Sequence, residues 1–185
     1  MSSAQRLIAY YNDSIKLLKE AGVSSVAMGK LPMKSDIIGK TIALINKHKV
    51  SPVSPFVLVM PDKYLSIEEK LSMMKYGGLK GSINLDLKKV SNTENVPSVP
   101  YVLFLPQKGN SVGFSPLNLE ETLSLFVREP SLLKKGGVTI KGSYFVDEGI
   151  RSGLALLRCS NFGPNVSIVT PKDRSSRPAL YTPSE

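Results

Sequence analysis

Val138-Thr139-Ile140-Lys141-Gly142-Ser143-Tyr144-Phe145-Val146 runs directly into Asp147-Glu148-Gly149, and Ile150 to Cys159 follows. In the first run Val138, Ile140, Gly142 and Tyr144 alternate with Thr139, Lys141, Ser143 and Phe145. In the second, Leu154, Leu156 and Arg158 alternate with Ala155, Leu157 and Cys159. Strand side chains point to opposite faces at period two, so both runs predict strands. The Asp-Glu-Gly segment turns the chain between them, and a further turn at 161–165 leads into Val166 to Thr170. Contiguous hairpins of this kind make a C-terminal β-meander. They decide the fold class as α+β over a doubly wound parallel sheet, which needs regular strand and helix alternation.

Working outward, Phe56-Val57-Leu58-Val59-Met60 lies between Pro55 and Pro61, and Tyr101-Val102-Leu103-Phe104-Leu105 lies between Pro100 and Pro106. Each apolar run is too short for a helix and predicts a strand covered on both faces. Together they point to a mixed or mostly antiparallel sheet flanked by helices. Ile83, Leu85 and Leu87 alternate with Asn84 and Asp86, as in a strand with one wet face.

The helices have their own signals. Leu7, Ile8, Tyr11, Ile15 and Leu18 recur at helical spacing over 4–21, and Gly22 is placed to end that helix. Ser35 or Asp36 can cap a second helix to about Lys47, with Ile38, Ile42 and Ile45 on one side. Ser66-Ile67-Glu68-Glu69 has capping-box spacing for a helix to Lys75, and Asn118-Leu119-Glu120-Glu121 offers the same for a helix to about Arg128. The expected organisation is an N-terminal helical pair over 1–50, part of the same domain or an extension of it, an α+β domain over 55–170 and a polar tail over 171–185.

The chemical inventory is sparse. One histidine, one cysteine and no tryptophan stand against a formal net charge of +9. A lone cysteine forms no internal disulfide, and a zinc site wants several His or Cys ligands, so no metal site and no cofactor are expected. A carboxylate site for magnesium using Asp62, Asp86, Glu120 or Glu121 is not selected by their spacing. His48 lies between two lysines, whose charge disfavours the imidazolium, and fits a helix end better than a general base. Cys159 reads as a strand core residue.

Residues 1–61 hold eight Lys/Arg against three Asp/Glu, so the basic excess is concentrated near the N-terminal helices. That suits an anion-facing surface or a solvated lysine face. Gly77-Gly78-Leu79-Lys80-Gly81-Ser82 has glycines but fails as a nucleotide loop, because it follows a helix and precedes a strand. A helix-terminating turn explains it. The candidate anion contacts are Lys80, Lys141, Lys172, Arg174 and Arg177. Lys141, Ser143 and Tyr144 are the candidate catalytic set, since a glycine within a strand permits close approach of a ligand or of another backbone.

Pro55 to Pro61, Gly77 to Gly81, Val99-Pro100-Tyr101-Val102-Leu103, the helix ending in Glu129-Pro130-Ser131-Leu132-Leu133, and Gly142-Ser143 occur in an order that resembles an uncharacterised actinobacterial-type domain family over about residues 55–170. The resemblance carries no assigned activity and no functional residues across to this chain. The sparse catalytic inventory and the two amphipathic N-terminal helices point to a non-enzymatic binding or assembly protein, with those helices serving a homo-oligomer or protein partner. Nucleic-acid or polyanion binding is the first alternative, and a hydrolase or transferase without His or Cys catalysis the second. No run of about 18 apolar residues predicts a membrane span, and the N-terminus lacks signal-peptide features, so a cytoplasmic location is expected.

Overall fold

The computed structural model describes residues 2–74, 81–83, 86–92, 94–107, 114–135, 138–148, 150–160, 163–169 and 181–183. Its elements are α1 (Ser3–Glu20), α2 (Ser25–Met28), α3 (Lys34–Asn46), β1 (Phe56–Val59), α4 (Ile67–Met73), β2 (Ser82–Ile83), β3 (Val90–Asn92), β4 (Tyr101–Phe104), β5 (Phe114–Pro116), α5 (Leu119–Arg128), β6 (Val138–Asp147), β7 (Ile150–Ser160), β8 (Gly163–Val169) and β9 (Tyr181–Pro183). The fold is α+β. The chain forms two compact units, Met1–Leu65 with Pro97–Ser115 and Tyr181–Glu185, and Ser66–Val96 with Pro116–Leu180.

In the first unit, Ser2 and Gln5 form a reciprocal capping box that opens α1. Leu7, Ser14 and Leu18 bury one face, and the Ser14 hydroxyl donates back to the Tyr10 carbonyl at 2.9 Å. The helix closes with the Val23 amide on the Leu18 carbonyl and the Gly22 amide on the Lys19 carbonyl, with Gly22 at φ +82°. This is the left-handed termination glycine favours. The second helix is capped two residues before Ser35 and three before Asp36. Met33 is its N-cap, without a side-chain hydrogen bond, and Ser35 and Asp36 fall in the first turn. The short α2, capped by Ser24, occupies the expected loop.

α3 ends as α1 does, with the Lys49 amide on the Leu44 carbonyl and the His48 amide on the Ile45 carbonyl. Here the left-handed position holds His48, at φ 54°. A β-carbon is strained in that conformation, so His48→Gly should raise stability by up to about 1 kcal/mol, read as an increased denaturation midpoint. An unchanged or lowered midpoint would show that the imidazole makes up for the strain.

β1 is buried along its whole length, as the apolar run predicts. It pairs antiparallel with β4, Phe56 opposite Phe104 and Val59 opposite Tyr101. These two strands form their own two-stranded sheet and are not the centre of a wide one. The pairing instead continues past β1, where the Leu105 amide bonds the Pro55 carbonyl, the Ser51 amide bonds the Leu105 carbonyl and Val50 bridges Pro106. β5 pairs with β9.

In the second unit the sheet order is β2-β8-β7-β6-β3. β2 runs parallel to β8 and the other pairings are antiparallel, so the sheet is mixed with the expected meander at its centre. Asp147 opposite Ile150 leaves a two-residue connection in which Glu148 takes φ 49°. Both expected capping boxes form, Ser66 with Glu69 opening α4 and Asn118 with Glu121 opening α5. Hydrogen bonding from Ser66, its amide first and its side chain second, holds the Glu69 carboxyl below its ordinary range. Ile67, Leu71 and Met74 of the α4 segment pack with Leu119, Leu123 and Phe126 of α5, and Ile140 and Val166 complete the cluster from the sheet. Leu87 belongs to a 3₁₀ turn, Leu87–Lys89, whose start is fixed by the Asp86 carboxylate accepting from the Lys88 amide, so the alternating strand pattern stops before it.

Candidate functional site

The Lys141-Gly142-Ser143 segment is a bulge. On β6, Ile140 faces Ala155 and Tyr144 faces Leu154, so three residues intervene on one strand where the partner has none. The bulge carries β6 to the start of α5. The Gly142 amide donates to the Leu117 carbonyl at 3.0 Å, and a β-carbon on Gly142 would lie 2.5 Å from Leu117 and Pro116 backbone atoms. Ser143 is fully buried; its hydroxyl accepts from the Leu119 amide at 2.8 Å and donates to the Asn92 side chain. One of the unpaired amides at the helix start is thereby satisfied.

Of the candidate catalytic set, Lys141 is exposed, Tyr144 is half-buried, and Ser143 serves the α5 terminus. The close approach that Gly142 permits is to backbone. Lys80, Lys172, Arg174, Arg177 and Gly77 to Lys80 as a loop lie outside the described residues. Gly81, at the end of that loop, donates to the Leu71 carbonyl of α4 at 3.0 Å. No group of three or more His, Cys, Asp and Glu suited to a metal occurs among the described residues.

A different constellation stands out in the first unit. Lys30 follows α2 in a tight turn, its amide bonded to the Ala27 carbonyl, between buried Ala27 and Leu31. Tyr64 follows β1 in another turn, where the Tyr64 and Leu65 amides both bond the Pro61 carbonyl and Leu65 is buried. These two anchored turns bring the Lys30 ammonium 3.0 Å from the Tyr64 hydroxyl. It lies 5.1 Å from the ring centre, and the Lys63 ammonium lies 5.0 Å from the same ring. The hydrogen bond from Lys30 pulls the phenol below its ordinary pKa; desolvation opposes it, and the positive charges of Lys30 and Lys63 add to the lowering.

Two more lysines repeat the theme. Lys34 sits over the Tyr11 ring at 5.5 Å and donates to Asn12 Oδ1 at 3.0 Å, and Lys40 sits over the Phe104 ring at 5.0 Å. Lys16 and Glu20 form an exposed ion pair in this unit, at 3.9 Å. All four lysines lie against aromatic faces, and Lys30 and Lys34 also donate to neutral oxygens, contacts that orient a cation without cancelling its charge.

A cavity of about 480 Å³ lies elsewhere in the unit, beside the end of α3, lined by Ile45, Asn46, His48, Val50, Pro52 and Gln107. His48, expected at a helix end, is there.

Sequence reasoning missed the Lys30–Tyr64–Lys63 cluster because its main contact spans 34 residues. Only the adjacency of Lys63 and Tyr64 was visible. Buried Lys70 was missed as well, although its spacing was readable: Ile67, Lys70, Leu71 and Met74 fall on one helical stripe.

No known protein family, no curated protein and no solved structure matches the chain. No helix among the described residues is long and apolar enough to cross a membrane.

Proposed function

We propose that this is a non-enzymatic binding protein whose first unit takes single-stranded nucleic acid. The observation that carries the reading is the set Lys30, Lys34, Lys40 and Lys63, each over an aromatic ring. Ammonium groups attract phosphates, and the half-buried Tyr11 and Tyr64 rings lie beside them. Mixed charge would blunt that attraction, but Met1–Leu65 carries nine Lys/Arg against four Asp/Glu.

A labelled oligonucleotide titrated at two salt concentrations tests the reading. If all four lysines meet phosphates, affinity should fall roughly fifty-fold between about 50 and 200 mM salt. Changing Lys30, Lys34, Lys40 and Lys63 together to glutamine should remove most of the binding and flatten the salt dependence, with thermal unfolding unchanged. No binding at the lower salt, or a variant that binds like the parent, would refute it.

Assembly is the second reading, favoured by Val26 and Met33, which are 74% and 70% exposed on either side of the Lys30 turn. Light scattering decides it. A monomer at high protein concentration would leave those side chains without a self-association role.

A further inference from the structure

The Lys30, Lys63 and Tyr64 cluster differs from the other lysine contacts in placing two cations against one side chain. Because the Tyr64 oxygen accepts from Lys30, its own O–H remains able to donate outward. Two ammonium groups and a phenol donor, all presented by anchored turns, make a compact anion receptor. Its charge matches a phosphomonoester, which carries about −1.5 to −2 near neutral pH, better than the single charge of a diester.

We propose that Lys30, Lys63 and the Tyr64 hydroxyl bind a terminal phosphomonoester, the phosphate at the end of a nucleic-acid strand, in preference to the diesters of its interior. The strand as the source rests on the nucleic-acid reading above; the phosphate chemistry does not. The charged side chains acting on the phenol are Lys30 and Lys63, while Asp62 lies exposed on the same turn. A bound phosphate opposes the phenolate, so occupancy should raise the Tyr64 pKa. By linkage, phosphate affinity should fall as pH rises through the titration of the phenol.

The test uses the whole protein labelled with ¹³C at the tyrosine ring, the Tyr64 signal being the one lost in Tyr64→Phe. Its pH titration is followed with and without inorganic phosphate. In parallel, one oligonucleotide is titrated with and without a 5′ phosphate. Phosphate should move the Tyr64 titration to higher pH, and the phosphorylated strand should bind about threefold to fivefold tighter, the upper part of what an exposed ion pair supplies. Lys30→Gln and Lys63→Gln should each reduce that preference without altering the melting temperature.

Equal affinity for the two strands, with Tyr64 unmoved by phosphate, overturns the site while leaving general nucleic-acid binding intact. Failure of both strands to bind, with Tyr64 still responding to phosphate, overturns the nucleic-acid source and the reading it rests on. The phosphate site would then stand alone. If neither strand binds and Tyr64 does not respond, both proposals fall.

Discussion

Gly142→Ala should destabilise the second unit by about 3 kcal/mol or more, toward the severe end for a single substitution. A β-carbon there would lie 2.5 Å from the Leu117 carbonyl carbon and oxygen and from the Pro116 oxygen. These are backbone atoms and cannot rotate aside as a side-chain tip can. Moving them would break the 3.0 Å bond from the Gly142 amide to the Leu117 carbonyl and draw Ser143 away from the Leu119 amide. The loss should therefore be local first. Amide exchange in β6 and the first turn of α5 should accelerate before the first unit is affected, and urea denaturation should give the overall cost.

Gly39→Ala supplies the control. Gly39 lies within α3 with nothing inside 4 Å of the added carbon, so the same chemical change should stabilise by about 0.5–1 kcal/mol through helix propensity. A Gly142→Ala protein as stable as the parent would mean that the bulge does not hold the α5 start as close as the structure places it.

The same bulge marks the boundary of what the sequence made legible. Alternation gave both long strands and their turn, because the period-two signal is local. The capping boxes at Ser66 and Asn118 were readable for the same reason, each needing four residues. The interruption at Lys141-Gly142-Ser143 was visible as a glycine in a strand, but its partner, Leu117, lies 25 positions earlier. No local rule connects them. β1 and β4 were readable as buried strands, whereas their pairing with each other, Phe56 opposite Phe104, joins segments far apart in the chain. The Tyr64 cluster follows this pattern, since two local turns were needed before a lysine and a phenol could meet.

Lys70 provides a second strong test because its two sides should respond in opposite ways. The residue is 1% exposed on α4, and its ammonium lies 3.7 Å from the carboxylate of Glu120, whose side chain is 17% exposed. Burying the ammonium carries a desolvation cost that the carboxylate offsets. Glu120→Ala removes that carboxylate from the buried Lys70 ammonium and should cost about 3 kcal/mol. Lys70→Met removes the buried charge and keeps an unbranched stem of similar reach. It should be neutral or stabilising, because the better exposed carboxylate can turn to water. In the Lys70→Met background, Glu120→Ala should then cost little, giving a large coupling in a double-mutant cycle. Additive losses would contradict the offset, since they would show each side chain stabilising the unit independently. A Lys70→Met protein destabilised as severely as Glu120→Ala would instead assign the stabilisation to lysine contacts other than Glu120.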